Sequence, residues 1–184
     1  MPSPSVREAD SNFAYYFRES LSVLTNSFLL ASIERDRRIL LYEPPVKVGR
    51  KNGLEPLYLS ITQTYQVVEA GDRAFKARST SYSYGLLAKQ NNNFHELLEF
   101  HWHPESTPKL RWPHLHVIAN SQGGDISRVH FPTGRLSIED FIRLAIRDFQ
   151  VKPRMAHDDW KKILTKNKAA FCEGASWLYW KPLI

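Results

Sequence analysis

From Leu57 to Ala119 the chain alternates, and that alternation limits what it can fold into more than any other feature. A period of two sends successive side chains to opposite faces of a strand. "LYLSITQTYQVVE" is rich in β-branched and aromatic residues, which suit a pleated, half-buried surface. In "FKARSTSYSYGLLAK", Lys76, Arg78, Thr80, Tyr82 and Tyr84 fall on one face, and Ala77, Ser79, Ser81 and Ser83 on the other. "QNNN" reads as a turn. "FHELLEFHWHP" then sets Glu99, His101 and His103 against Leu98, Phe100 and Trp102, and "PHLHVIA" sets His114 and His116 against Leu115 and Val117. Such consecutive runs predict antiparallel strands of one sheet.

The flanks have a different period. Phe13, Tyr16, Phe17, Leu21 and Leu24 recur at helical spacing, with Ser11 as the expected cap, and residues 1–10 read as a loose tail. "SFLLASIERDRRILLYEPP" reads as a hairpin around "ERDRR", ended by Pro44 and Pro45. "VKVGRKNGLEP" is a basic loop with Lys47, Arg50 and Lys51 at its tip, a solvated loop or one that grips a nucleic-acid backbone. Beyond the strands, Ile138, Phe141, Ile142, Ala145 and Phe149 form one apolar stripe behind a Ser137–Asp140 capping pattern. A second helix spans "HDDWKKILTKNKAAFCEG", with Trp160, Ile163, Leu164 and Phe171 inside and a stop at Gly174. "ASWLYWKPLI" is aromatic enough to pack back on the body. Strands followed by helices argue for an α+β fold, an antiparallel sheet with helices packed on one face, in a single domain over residues 1–184.

Composition narrows the function. The net charge of +6 and pI near 9.5 favour polyanionic partners through counterion release. The single cysteine, Cys172, leaves no internal disulfide, which fits a cytoplasmic protein. No apolar run approaches the length that spans a bilayer, and the N-terminus lacks the pattern of a secretory signal, so no membrane partner is expected.

Four of the seven histidines, His101, His103, His114 and His116, lie between Leu97 and Ala119 as two His-x-His pairs around a Pro-rich loop. The hairpin register that centres the loop sets His103 opposite His114 and His101 opposite His116. Opposed residues share a face, so all four imidazoles stand together, away from Phe100, Trp102, Leu115 and Val117. A slip of one residue would destroy the arrangement. The plain alternative is a polar sheet face that happens to be rich in histidine.

Three chemistries suit the cluster. Imidazoles can cleave RNA by acid–base catalysis, since the 2′-hydroxyl is an internal nucleophile. Tyr82, Tyr84, Arg78 and Arg111 are the candidates for stabilising charge on the phosphate. His130, ahead of a Pro-Thr-Gly-Arg turn with Gly134 and Arg135, can form a further phosphate site or a plain turn. Secondly, neutral imidazoles can hold a divalent transition metal, completed by Glu99 or Glu105. Thirdly, "PHLHV" matches a metal-holding His-hydrophobe-His endonuclease motif, but the helix with a catalytic tyrosine followed by lysine does not come after it. His157 reads as a surface residue, and Lys161, Lys162, Lys166 and Lys168 as a solvated helix face.

The order of these features, the "YSY" strand, "HWHP", "PHLHV", "HFPT" and "SIEDFIRLAIRDF", resembles the TumE-type toxins of toxin–antitoxin systems over roughly Arg78 to Phe149. The N-terminal helix and the long C-terminal segment exceed that pattern. The resemblance implies RNA-directed activity with a cognate antitoxin protein as partner, and it carries over to Tyr82, Tyr84, His101, His103, His114 and His116. The expectation is a nuclease-like protein acting on RNA without a cofactor. The alternatives are a metal-binding protein built on the same four histidines, and a non-catalytic nucleic-acid or protein-binding module.

Overall fold

Alternation becomes a sheet because each run has one face to bury. In the computed structural model, which describes residues 2–34, 37–105, 111–117, 120–121, 124–125, 129–155 and 158–172, the strands are β1 (Leu30–Glu34), β2 (Arg37–Leu41), β3 (Val46–Val48), β4 (Leu57–Glu69), β5 (Phe75–Gln90), β6 (Asn93–Trp102), β7 (His114–Val117), β8 (Asn120–Ser121), β9 (Gly124–Asp125) and β10 (Phe131–Pro132). The helices are α1 (Val6–Ser22), α2 (Ile138–Arg147) and α3 (Asp159–Cys172). An eight-stranded antiparallel sheet runs in the order β1-β2-β4-β5-β6-β7-β10, with β3 also paired to β4. β8 and β9 form a separate ribbon. The class is α+β. The expectations for His157, the Phe171 side chain, Gly174 and the packing of 175–184 lie outside the described residues.

Register defines the two faces. Ile61 pairs with Tyr84, Tyr84 with Phe100, and Phe100 with Leu115, one row across four strands, and all but Leu115 are buried. This face takes the helices. Phe13 and Phe17 of α1 lie 4.2 Å from Tyr65 and 6.4 Å from Tyr84, centroid to centroid. Phe141 of α2 lies 5.7 Å from Tyr84 and 6.4 Å from Phe100. Trp102 and Phe141 are buried in the shared core, with Leu115 and Phe149 packed against it. Among the described residues, no helix is long and apolar enough to cross a membrane.

The first residues are not a loose tail. Ser3 and Phe75 exchange two backbone hydrogen bonds of 2.8 Å, and α1 starts at Val6, nearly two turns earlier than a cap at Ser11 allows. Ser5 is the cap, and its side chain accepts from the Glu8 N–H. The two prolines suggested a tail, but they precede the cap, where they cost the helix no hydrogen bond.

Two β-bulges break the parity of the strands. The first lies at Thr80, where Thr64 pairs with Ser81 but Tyr65 with Ser79. It turns Arg78 to the face opposite Tyr82 and Tyr84, although simple alternation puts all three together. The second lies at Leu97, where Leu86 pairs with Leu98 but Leu87 with Glu96. Glu96 thereby joins Glu99 on the face away from the helices.

Glu139 is a buried carboxyl, 3% exposed, that accepts a 2.8 Å hydrogen bond from the Ser20 hydroxyl. Burial pushes its pKa up, against hydrogen bonds from its own backbone, Ser20 and Ser137. The folded protein therefore holds this proton more tightly than the unfolded chain, whose carboxyl titrates near pH ~4.3. The resulting stabilisation is complete below that pH and is lost as pH rises through the folded value. Glu139→Gln removes the dependence. Urea midpoints of wild type should fall relative to the variant as pH rises above about 4, and a difference that stays constant with pH would contradict this.

Candidate metal centre on the histidine face

The second row of the sheet carries the histidines. Thr62 pairs with Ser83, Ser83 with His101, and His101 with His114. Glu99 pairs with His116. The hairpin is thus set two residues away from the register that centres the loop, which had paired His103 with His114 and His101 with His116. A shift of two preserves the face, because the side-chain period is two. His103 lies just past the end of β6, its ring 5.5 Å from that of His101.

A fifth ring, that of His130, joins from just before β10. Phe131 pairs with Leu115 and Pro132 with His114, which sets His130 opposite His116 one step further along. Its ring lies 4.4 Å from His116 and 4.9 Å from His114. The sequence placed His130 ahead of a phosphate site or a plain turn and not with the other histidines, since a two-residue strand is too short for alternation to reveal.

The cluster is organised as ligands require. One ring nitrogen from each of His101, His114 and His116 lies within 4.8 Å of the others. His114 is 6% exposed, and its Nδ1 lies 2.8 Å from the Trp112 carbonyl oxygen. A carbonyl only accepts, so Nδ1 carries the proton and Nε2 keeps its lone pair. His101 Nε2 lies 2.6 Å from Glu99 Oε2, and the Ser83 hydroxyl donates to the other oxygen of Glu99. His116 Nε2 is buried and has no hydrogen-bond partner among the described residues. An unpartnered polar atom costs about 1–3 kcal/mol unless something fills the place.

Burial and neighbouring charge disfavour protonation of three of the rings, His103, His114 and His116. Burial first, then the like charges of His101, His130 and His114, push His116 down to about 4. Burial also lowers His114 and His103. Burial pushes Glu99 up, but hydrogen bonds from His101 and Ser83 and the charge on His101 prevail and hold it below the usual carboxylate range. Glu96 is pushed up to about 7 by burial and by its hydrogen bond to Glu99. The lowered His103, His114 and His116 favour neutral imidazoles beside the ionised Glu99, donors that suit zinc and its neighbours.

Several expected site residues lie elsewhere. Tyr82 and Tyr84 are 1% and 2% exposed on the helix side of the sheet. The Tyr82 hydroxyl accepts from the Leu136 N–H at 2.9 Å, and the Tyr84 hydroxyl donates to Gln63. Burial pushes Tyr82 to about 12 and Tyr84 well above its ordinary value, so neither is a catalytic group for the opposite face. The guanidinium of Arg135 lies 3.6 Å over the Trp102 ring, on that same helix side. Arg78 is exposed, and its charge bears on Arg135. Arg111 is exposed in the connection before β7. Glu105 pairs with Arg37 rather than with the histidines. Glu96 escaped sequence reading because only the bulge at Leu97 turns it toward them.

Fold and site together define, among the described residues, an α+β protein with helices on one face of an antiparallel sheet and a histidine cluster on the other. No protein-family model matches the chain, and no curated protein or solved structure matches it either.

Proposed function

We propose that the protein is a nuclease-like hydrolase acting on RNA in the cytoplasm, and that His101, His114 and His116 hold a divalent transition metal at its centre. One observation carries the metal reading: one ring nitrogen from each of His101, His114 and His116 gathers within 4.8 Å, and His116 also holds a buried Nε2 with no hydrogen-bond partner among the described residues. Metal-free acid–base cleavage needs a protonated imidazole and cationic groups at the phosphate. The depressed His103, His114 and His116 and the removal of Tyr82, Tyr84 and Arg135 to the other face favour the metal instead. When bound, such an ion polarises a phosphoryl oxygen and lowers the pKa of water. The chain's own residues do the rest. Trp112 and Glu99 fix the tautomers of His114 and His101, and the exposed His103 and His130 stand at the open rim. The RNA substrate and an antitoxin partner follow from the resemblance to TumE-type toxins and from the +6 charge.

The test is cleavage of a short RNA by untagged protein with zinc, manganese or cobalt, with and without chelator. Cleavage should need the metal. Cleavage that survives chelation would remove the metal from the reaction, and no cleavage with any of them would remove the nuclease reading. Glu99→Gln should weaken metal affinity by about 10–100-fold, the usual effect of losing a carboxylate behind a ligating histidine. Competition with a chromophoric chelator reads this directly, and an unchanged affinity would show that Glu99 does not orient His101.

A further inference from the structure

The histidine face continues past the histidines. Leu57, Leu59 and Ile61 point into the core, so Tyr58, Ser60 and Thr62 point the other way, with the histidines. Tyr58 pairs with both Lys47 and Leu87, Leu87 pairs with Glu96, and Lys89 with Phe94. Register therefore puts Lys47, Tyr58, Lys89 and Phe94 on the same face as His101. The rings confirm it. Those of Tyr58 and Phe94 meet edge to face at 5.0 Å, and Lys89 Nζ lies 5.5 Å over Phe94.

This end has the composition of a nucleic-acid surface. Phe94 is 40% exposed, and Lys47 and Lys89 are exposed beside it. The lysines of α3 differ, since Lys161, Lys162, Lys166 and Lys168 all pair with carboxylates. Among the described residues, no carboxylate pairs with Lys47 or Lys89. Between the two ends lie Ser60, Thr62, Ser83 and Gly85, small side chains that leave the surface low. Glu96 and Glu99 also border this stretch. Glu99 is engaged with His101. From Phe94 to His101 the path along β6 is roughly 20 Å at the usual rise per residue.

We infer that a single-stranded nucleic acid lies along this face, its bases stacked on Phe94 and Tyr58, its phosphates at Lys47 and Lys89, and its chain running on to the histidines. Exposed aromatic rings interleaved with cations bind single strands in this way, over sites of about 4–16 nucleotides and with little regard to sequence. Reaching the histidines as a substrate rests on the proposed reading of that cluster as the reaction centre. Binding at Phe94 and the lysines does not.

The test is fluorescence anisotropy of a fluorescein-labelled oligouridylate of about 12 nucleotides, within the range such sites cover. It is titrated with wild type, Phe94→Ala, Lys47→Ala and Lys89→Ala across a salt series, with metal content measured separately on each. All three side chains are exposed, so the variants should fold. Phe94→Ala should weaken binding by about 5-fold or more. Each lysine variant should lower the slope of log affinity against log salt by about 0.7, one phosphate contact. Metal content should not change. Wild type that does not bind the oligouridylate, or binds it with an affinity indifferent to all three substitutions, overturns the inference while leaving the metal reading standing. Oligoglutamate binding in its place, with sensitivity to the same substitutions, overturns it in favour of an acidic protein partner.

Discussion

His116→Ala should leave the histidine face without its metal and the fold intact. His116 is central to the cluster, its ring 4.8 Å from His101, 4.9 Å from His114 and 4.4 Å from His130. Its buried Nε2 has no hydrogen-bond partner among the described residues, so its removal breaks no hydrogen bond at that atom and takes a ligand from the proposed metal. A ligand that binds only the native state stabilises it by about 4 kcal/mol at a thousand times its Kd. Zinc should therefore raise the melting temperature of wild type and not that of His116→Ala, while the two metal-free proteins melt alike. RNA cleavage should fall with metal content. A variant that still gains stability from zinc, to the same extent as wild type, would show that His116 is no ligand.

The second large effect lies on the opposite face. Phe141 is fully buried, with Tyr84 and Phe100 against its ring at 5.7 and 6.4 Å. Phe141→Ala removes a large aromatic contact between α2 and the sheet, at a cost of about 3–5 kcal/mol. That is a large share of the roughly 5–15 kcal/mol that keeps a domain folded. Trp102→Ala should cost a similar amount, since Trp102 is 6% exposed beside Tyr82 and carries Arg135 over its ring. Urea titration reads both. A loss below about 1 kcal/mol for Phe141→Ala would mean that the core closes over the gap, or that α2 is held by other contacts.

The layer structure was legible because burial enforces periodicity. Phe100, Trp102 and Leu115 had to face α2, and that alone sent His101, His114 and His116 to the other side, whatever the register. The register itself was not legible. A shift of two residues leaves every face unchanged, so no apolar residue reports it. The bulges at Thr80 and Leu97 were hidden for a related reason. Each inserts a residue without a sequence mark, and parity changes only beyond it. Tyr82 and Tyr84 misled because a tyrosine has both an apolar ring and a polar tip, so serines between them made either face look polar. The earlier start of α1 did have a signal: Ser5 and Glu8 form a Ser-x-x-Glu capping pattern.

The most direct measurement is the metal content of untagged protein by inductively coupled plasma mass spectrometry, followed by calorimetric titration of the stripped protein with zinc. About one ion per chain is expected in wild type, and none in His114→Ala or His116→Ala. A wild-type protein that carries no transition metal and takes up no zinc on titration, with His101, His114 and His116 intact, would contradict the metal centre outright.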